Sequence, residues 1–264
     1  MKKLLLAFCL AVPLGVFAQG KTDAKQPAAV DKGGVNWAGQ VVRATGSGAP
    51  DLKAQNPAQA RLGAERAALS DAFRNLLAQV KGVSVDGTKK MGDLMEKDEI
   101  RTRVEGLVKG YKIVNKRYFS DSGVEVEIEV PLALLSDVID PDATQMLAVA
   151  AKPEAEKTTT GLVIDARGLK VTPSLMPRVL DDGGKPVYSI DSLSADARKQ
   201  SGVAAYVQSL DDAQKSLKAG EKPLVIKAAK ATGSDLQLAP EDAKKLAALN
   251  TSFLADGKVV IVLN

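Results

Sequence analysis

The sequence predicts an α+β fold in two units, and three observations carry that reading. Val124 to Val130 alternates apolar and acidic residues with period two, the mark of a strand with one buried face. Asn56 to Gly82 has a capped start, helical periodicity and a glycine stop. Leu162-Val163-Ile164, Leu224-Val225-Ile226 and Val259 to Leu263 are short unbroken apolar runs, as expected of strands covered on both faces.

The chain opens with an export signal. Met1-Lys2-Lys3 is a basic cap, Leu4 to Phe17 an apolar core interrupted by Pro13 and Gly15, and Val16-Phe17-Ala18 a small-residue exit, which predicts a signal peptide over 1–18. The apolar core is about 14 residues, against the ~20 a membrane-spanning helix needs. No later stretch is a second candidate, so no transmembrane segment is expected after signal removal. Cys9 follows Phe8, where a lipid-modified cysteine requires a small residue, and the apolar core runs on past it. The expected location is the periplasm or the outer-membrane surface.

Residues 19–34, rich in Lys, Ala, Asp, Gln and Gly without apolar periodicity, read as a flexible leader. Residues 35–140 form the first unit. Trp37 to Thr45 has the apolar content of a strand, and Gly46-Ser47-Gly48 then reads as its exit loop. Asn56 is the N-cap of the long helix, Pro57 its first residue and Gln59 the partner closing a capping box. Leu62, Leu69, Phe73, Leu76, Leu77 and Val80 recur at three- and four-residue steps, while Arg61, Glu65, Arg66, Asp71 and Arg74 take the other face. Abundant Ala lets this helix lie close on a sheet, and Lys81-Gly82 ends it.

A second helix is expected over Met91 to Val108. Tyr111 to Phe119, the turn Ser120 to Gly123 and Val124 to Val130 then form a β-hairpin. Val124, Val126, Ile128 and Val130 face the core, and Glu125, Glu127 and Glu129 line the other face, balanced by Lys112, Lys116 and Arg117 on the partner strand. Pro131-Leu132 begins a closing helix.

Gly46-x-Gly48, Asn56-Pro57-Ala58-Gln59-Ala60-Arg61, Ala64-x-x-Ala67-Ala68-x-x-x-Ala72, Leu76-Leu77, Val80-Lys81-Gly82-Val83 and the hairpin together carry a resemblance. Over about residues 37–135 the chain resembles the small outer-membrane-associated bacterial lipoprotein family that includes a flagellar basal-body lipoprotein. It is also similar to the N-terminal domain of flagellar assembly protein T. The resemblance implies an envelope component without catalytic residues, whose partners are envelope or outer-membrane proteins such as flagellar basal-body components.

Residues 141–160, with Pro141, Pro153 and Thr158-Thr159-Thr160, read as a linker to a second α/β unit over 161–264. Arg178 to Leu180, the turn Asp181 to Gly184 and Pro186 to Tyr188 form a second hairpin. Helices are expected over Asp211 to Ala219 and Pro240 to Leu249. Asp165 and Arg167, after the first strand, read as an ion pair at a strand end.

Composition removes most chemistry. The chain has no His, and its one Cys is Cys9, within the signal. Disulfides, thiolate nucleophiles, Ser-His-Asp triads and Cys/His zinc sites are thereby excluded. No Lys has a Ser three positions before it, so a Ser-x-x-Lys nucleophile is excluded as well. Asp121-Ser122-Gly123 and Asp86-Gly87-Thr88 have the local form of an aspartic-protease carboxylate, but turn composition explains both. Glu125, Glu127 and Glu129 suggest a metal only if the cross-strand cations are ignored. Asn250-Thr251-Ser252 is a glycosylation sequon without meaning in a bacterium.

The Gly46/Gly48 stretch lacks both phosphate-cradle patterns: Asp51 stands where a dinucleotide fingerprint needs its third Gly, and Gln55-Asn56-Pro57 where a P-loop needs Gly-Lys-Ser/Thr. A net charge of +4 is too small to argue for nucleic acid, although Arg61 to Tyr118 holds 13 Lys and Arg against 8 Asp and Glu. No catalytic, cofactor or metal residue is nominated. The expectation is a non-catalytic exported protein acting through protein–protein contacts, in flagellar or other surface assembly. The alternative is a periplasmic binding module holding a small anionic or glycan ligand between its units. The sequence leaves the oligomeric state open.

Overall fold

The computed structural model describes residues 31–32, 34–139, 159–249 and 251–263. The signal, most of the leader, most of the linker, Cys9 and Asn250 lie outside them. Within the first half the elements are β1 (Asp31–Lys32), β2 (Val35–Asn36), β3 (Val41–Gly48), α1 (Pro57–Gly82), α2 (Met91–Leu94), α3 (Asp98–Lys109), β4 (Lys112–Tyr118), β5 (Val124–Pro131) and α4 (Leu132–Ile139). The strands form one antiparallel sheet in the order β1-β2-β3-β5-β4.

The strand expected over Trp37 to Thr45 begins at Val41, after the short β1 and β2. Asn36 accepts from the Gly39 N–H at 2.6 Å and Gln40 donates to the Trp37 carbonyl at 2.6 Å, which closes a turn over Trp37 to Gln40 with Gln40 at φ 54°. β3 then runs through Gly48, so Gly46 and Gly48 are strand residues and not an exit loop. They share the buried face of β3 with Val42 and Ala44.

That face receives α1. Asn56 caps it and Pro57 begins it as the sequence predicts, Asn56 accepting from the Gln59 N–H at 2.9 Å; the expected capping box does not close on Asn56, since the Gln59 side chain accepts from the Gln55 N–H at 3.2 Å. Its fully buried stripe is Ala64, Ala68, Ala72, Leu76 and Val80 at four-residue spacing; the expected Leu76 and Val80 belong to it, Leu69, Phe73 and Leu77 pack partly buried against the core, and Leu62 is exposed. The reason is the distance between backbones. A Cβ placed on Gly46 would stand 2.0 Å from the Ala72 nitrogen, and one on Gly48 1.9 Å from the Ala64 carbonyl oxygen. Glycine on the strand and alanine on the helix let the two main chains nearly touch, and no leucine fits between them.

The helix expected over Met91 to Val108 is two, because Met95 to Lys97 break it. The hairpin is as expected, with Val124, Val126, Ile128 and Val130 fully buried.

The second half contains β6 (Gly161–Asp165), β7 (Val179–Leu180), β8 (Pro186–Tyr188), a 3-10 turn (Ile190–Ser192), α5 (Ala195–Gln200), β9 (Ala205–Val207), α6 (Leu210–Lys215), β10 (Pro223–Thr232), β11 (Asp235–Leu238), α7 (Pro240–Ala248), α8 (Ser252–Ala255) and β12 (Val259–Val262). They build a mixed sheet in the order β8-β7-β11-β10-β6-β12-β9, whose centre, β10-β6-β12-β9, is parallel. The three apolar runs lie in β6, β10 and β12; β6 and β12 are covered on both faces as expected, but in β10 Val225 is exposed. On one face of this sheet Val163, Val260 and Val262 pack with Ala205, Val207, Ala213 and Ala219. On the other, Leu162, Ile164 and Ile261 join a core that also contains Val42 and Ile128 of the first sheet and Leu76 of α1.

The two sheets therefore share one hydrophobic core. The Trp37 ring meets Tyr206 edge-on, with centroids 5.5 Å apart and planes at 77°. Loop residues Ser84 and Val85 accept from the Leu175 and Met176 N–H groups, both at 2.9 Å, and α4 packs on α5. Gly87 seats against Gly233, where a Cβ on the latter would be 2.7 Å from Gly87 Cα.

Candidate interaction surface

Each carboxylate that the sequence singled out is already engaged. Asp121 accepts from the Gly123 N–H at 2.8 Å and closes the hairpin turn with Ser122 at φ 70°. Burial works against the charge on Asp86, but the Thr88 N–H, the Thr88 hydroxyl and the Lys89 N–H all donate to it, and its carboxyl sits below the usual range. Asp165 takes both arms of Arg167, at 2.9 and 2.8 Å, and that hydrogen bonding lowers its pKa. Asp181 accepts from the Lys185 N–H at 2.8 Å across its turn.

The glutamate ladder is balanced differently from the sequence expectation. Arg117 pairs with Glu125, but Glu129 and Glu127 are met by Arg43 of β3, at 2.9 and 4.0 Å. Lys116 turns instead to Glu65 on α1, and Lys112 makes no ion pair among the described residues. The cause is a bulge between Ile113 and Asn115, which sets Lys116 opposite Val126 on the face that looks toward α1.

Two clefts lie where the halves meet. One, of ≈ 470 Å³, is lined by Asp86, Gly87 and Thr88 from the first half and by Arg178, Asp191 and Asp235 among others from the second. Asp235 engages Arg178 through both carboxylate oxygens, holding the guanidinium charged and leaving Asp86 and Asp191 to set the sign of the cleft. The other, of ≈ 890 Å³, contains Lys218, whose ammonium donates to the Ser201 and Gly202 carbonyls past the end of α5. Burial pushes this ammonium down to about 7.

A third groove, of ≈ 430 Å³, runs between the start of α1 and the end of β4, lined by Ala58, Arg61, Leu62, Glu65 and Tyr118. Ile113 and Val114 at the start of β4 and Phe119 just past its end are also exposed. The Arg61 guanidinium stacks 5.8 Å from the Tyr118 ring centroid. α1 covers β3 and β5 and meets β4, the outer strand of the sheet, through Glu65 and Arg61, leaving every β4 residue but Lys116 exposed. Sequence reasoning took Leu62 as core and β4 only as the partner of an acidic strand. The alanines read as letting α1 lie close on a sheet, but not as its buried stripe, which turns Leu62 outward.

Residues 161–264 match a family model described as Treponema pallidum Tp0624, second domain. No curated protein matches the chain.

Proposed function

We propose that this is an exported, non-catalytic component of the bacterial envelope that acts through protein–protein contacts. The observation that supports it best is the bare β4 edge with its apolar groove and cations, set against carboxylates that are tied up within the protein. The resemblance over residues 37–135 suggests a setting in flagellar or other surface assembly. The first seam cleft opposes the alternative of a small anionic ligand, since Asp86 and Asp191 face into it and its one arginine is already held by Asp235.

Cell fractionation with in-cell cross-linking tests the reading. The expected result is a protein recovered from the periplasm or outer-membrane fraction, cross-linked to other envelope proteins. Recovery as a lone soluble species with a measurable turnover would overturn it.

A further inference from the structure

We propose that the free edge of β4 takes an extended segment of a partner protein as an added strand, and that this segment alternates carboxylates with apolar residues. The inference rests on the protein-contact reading above and names the chemistry of the partner.

Among the described residues β4 pairs with β5 alone, so its other edge presents unpaired main-chain groups. The register sorts the β4 side chains into two rows. Ile113, Lys116 and Tyr118 stand opposite Ile128, Val126 and Val124, on the face toward α1. Lys112, Asn115 and Arg117 stand opposite Glu129, Glu127 and Glu125, on the far face. An added strand continues both rows. Its residues on the α1 side would meet Ile113, Tyr118 and the exposed Leu62, and so must be apolar. Its residues on the far side would lie beside Lys112, which has no ion pair among the described residues, and beside the exposed Arg117, which Glu125 already engages from β5. A carboxylate answers Lys112 outright and shares Arg117 with Glu125.

β5 already shows this chemistry on the occupied edge. Its Val/Glu alternation puts valines and an isoleucine on the α1 side and Glu125 against Arg117. A strand on the open edge needs the same alternation. A second copy of the chain meets the requirement poorly. Setting β4 against β4 would bring Lys112, Lys116 and Arg117 of each copy into one ribbon, and the bulge at Val114 disturbs its pleat.

The test uses the full chain and a fluorescent synthetic peptide with the sequence of residues 123–130. Two control peptides accompany it, one with lysine for each glutamate and one N-methylated at alternate residues. Saturable binding is expected for the parent peptide, weakened about tenfold or more by either control and by raising salt. Lys112→Glu should weaken the glutamate peptide and strengthen the lysine peptide, a reversal that loss of folding cannot produce. Equal binding of the N-methylated peptide would refute strand addition. Binding to phosphatidylglycerol vesicles without peptide binding would assign the basic face to a membrane instead. No peptide binding, with envelope cross-links retained elsewhere on the surface, overturns this inference alone; no peptide binding and no cross-links overturns the protein-contact reading as well.

Discussion

Replacing Gly48 by Ala tests the backbone contact on which the first sheet is built. The added methyl would lie 1.9 Å from the Ala64 carbonyl oxygen and 2.8 Å from both the Ala64 carbonyl carbon and the Ala68 nitrogen. Heavy atoms at such contacts need more than 3 Å, so α1 must lift off β3 by about 1 Å at its N-terminal half. Overpacking of this kind costs about 1–3 kcal/mol, sometimes more, and here the obstruction is main chain and cannot rotate away. The expected loss is about 3 kcal/mol, or a fall in Tm of about 6–12 °C by calorimetry.

Gly46→Ala meets the Ala72 nitrogen at 2.0 Å and should cost as much. Because one displacement of α1 relieves both clashes, the double variant should lose less than the sum. Ala64→Gly should not rescue Gly48→Ala, since the atoms struck belong to the backbone. A Tm within about 1 °C of the parent for Gly48→Ala, or rescue by Ala64→Gly, would refute the reasoning.

Gly63→Ala and Gly106→Ala are the converse case: both lie inside helices with nothing within 4 Å of the new methyl, and each should raise stability by about 0.5–1 kcal/mol in urea unfolding. Tyr206 donates to the Ser174 carbonyl and accepts from the Ser174 N–H, both at 3.1 Å, so Tyr206→Phe should cost about 1–3 kcal/mol. Ultraviolet titration should find the Tyr206 phenol un-ionised until near pH 12, because burial raises it to about 12. Lys218 has a folded-state pKa lowered to about 7 by burial, so between there and its ordinary value of 10.5 the unfolded chain binds the proton that the folded chain has released. Stability attributable to Lys218 should therefore rise with pH across that window, and Lys218→Met should flatten the rise in the urea midpoint.

Local signals were legible where one periodicity or cap decides the structure. Asn56 and Pro57 start α1 as read, and the Val/Glu alternation gives β5 its buried face. Of the predicted α1 stripe, Leu76 and Val80 are fully buried and Leu69, Phe73 and Leu77 pack against the core, but Leu62 is exposed, because the pattern ranks leucine above alanine where Gly46 and Gly48 set how near two backbones come. β9 and β11 escaped notice because strands of three and four residues carry too few alternations to register. The shared core was invisible for another reason. Trp37, Tyr206, Leu132 and Leu193 show that they are apolar, not that they belong to one cluster across 264 residues. The proposed interaction surface was half visible, in the excess of Lys and Arg over Arg61 to Tyr118. Its apolar half depended on which face of α1 turns inward.

The most direct test of the central claim is site-specific photo-cross-linking in the native host, with the probe at Val114 on β4 and, as a control, at the exposed Leu217. The account predicts discrete adducts with an envelope protein from Val114, none of the same size from Leu217, and loss of the Val114 adduct in Lys112→Glu. Smeared or identical labelling from both positions, with the protein recovered as a free monomer, would contradict it.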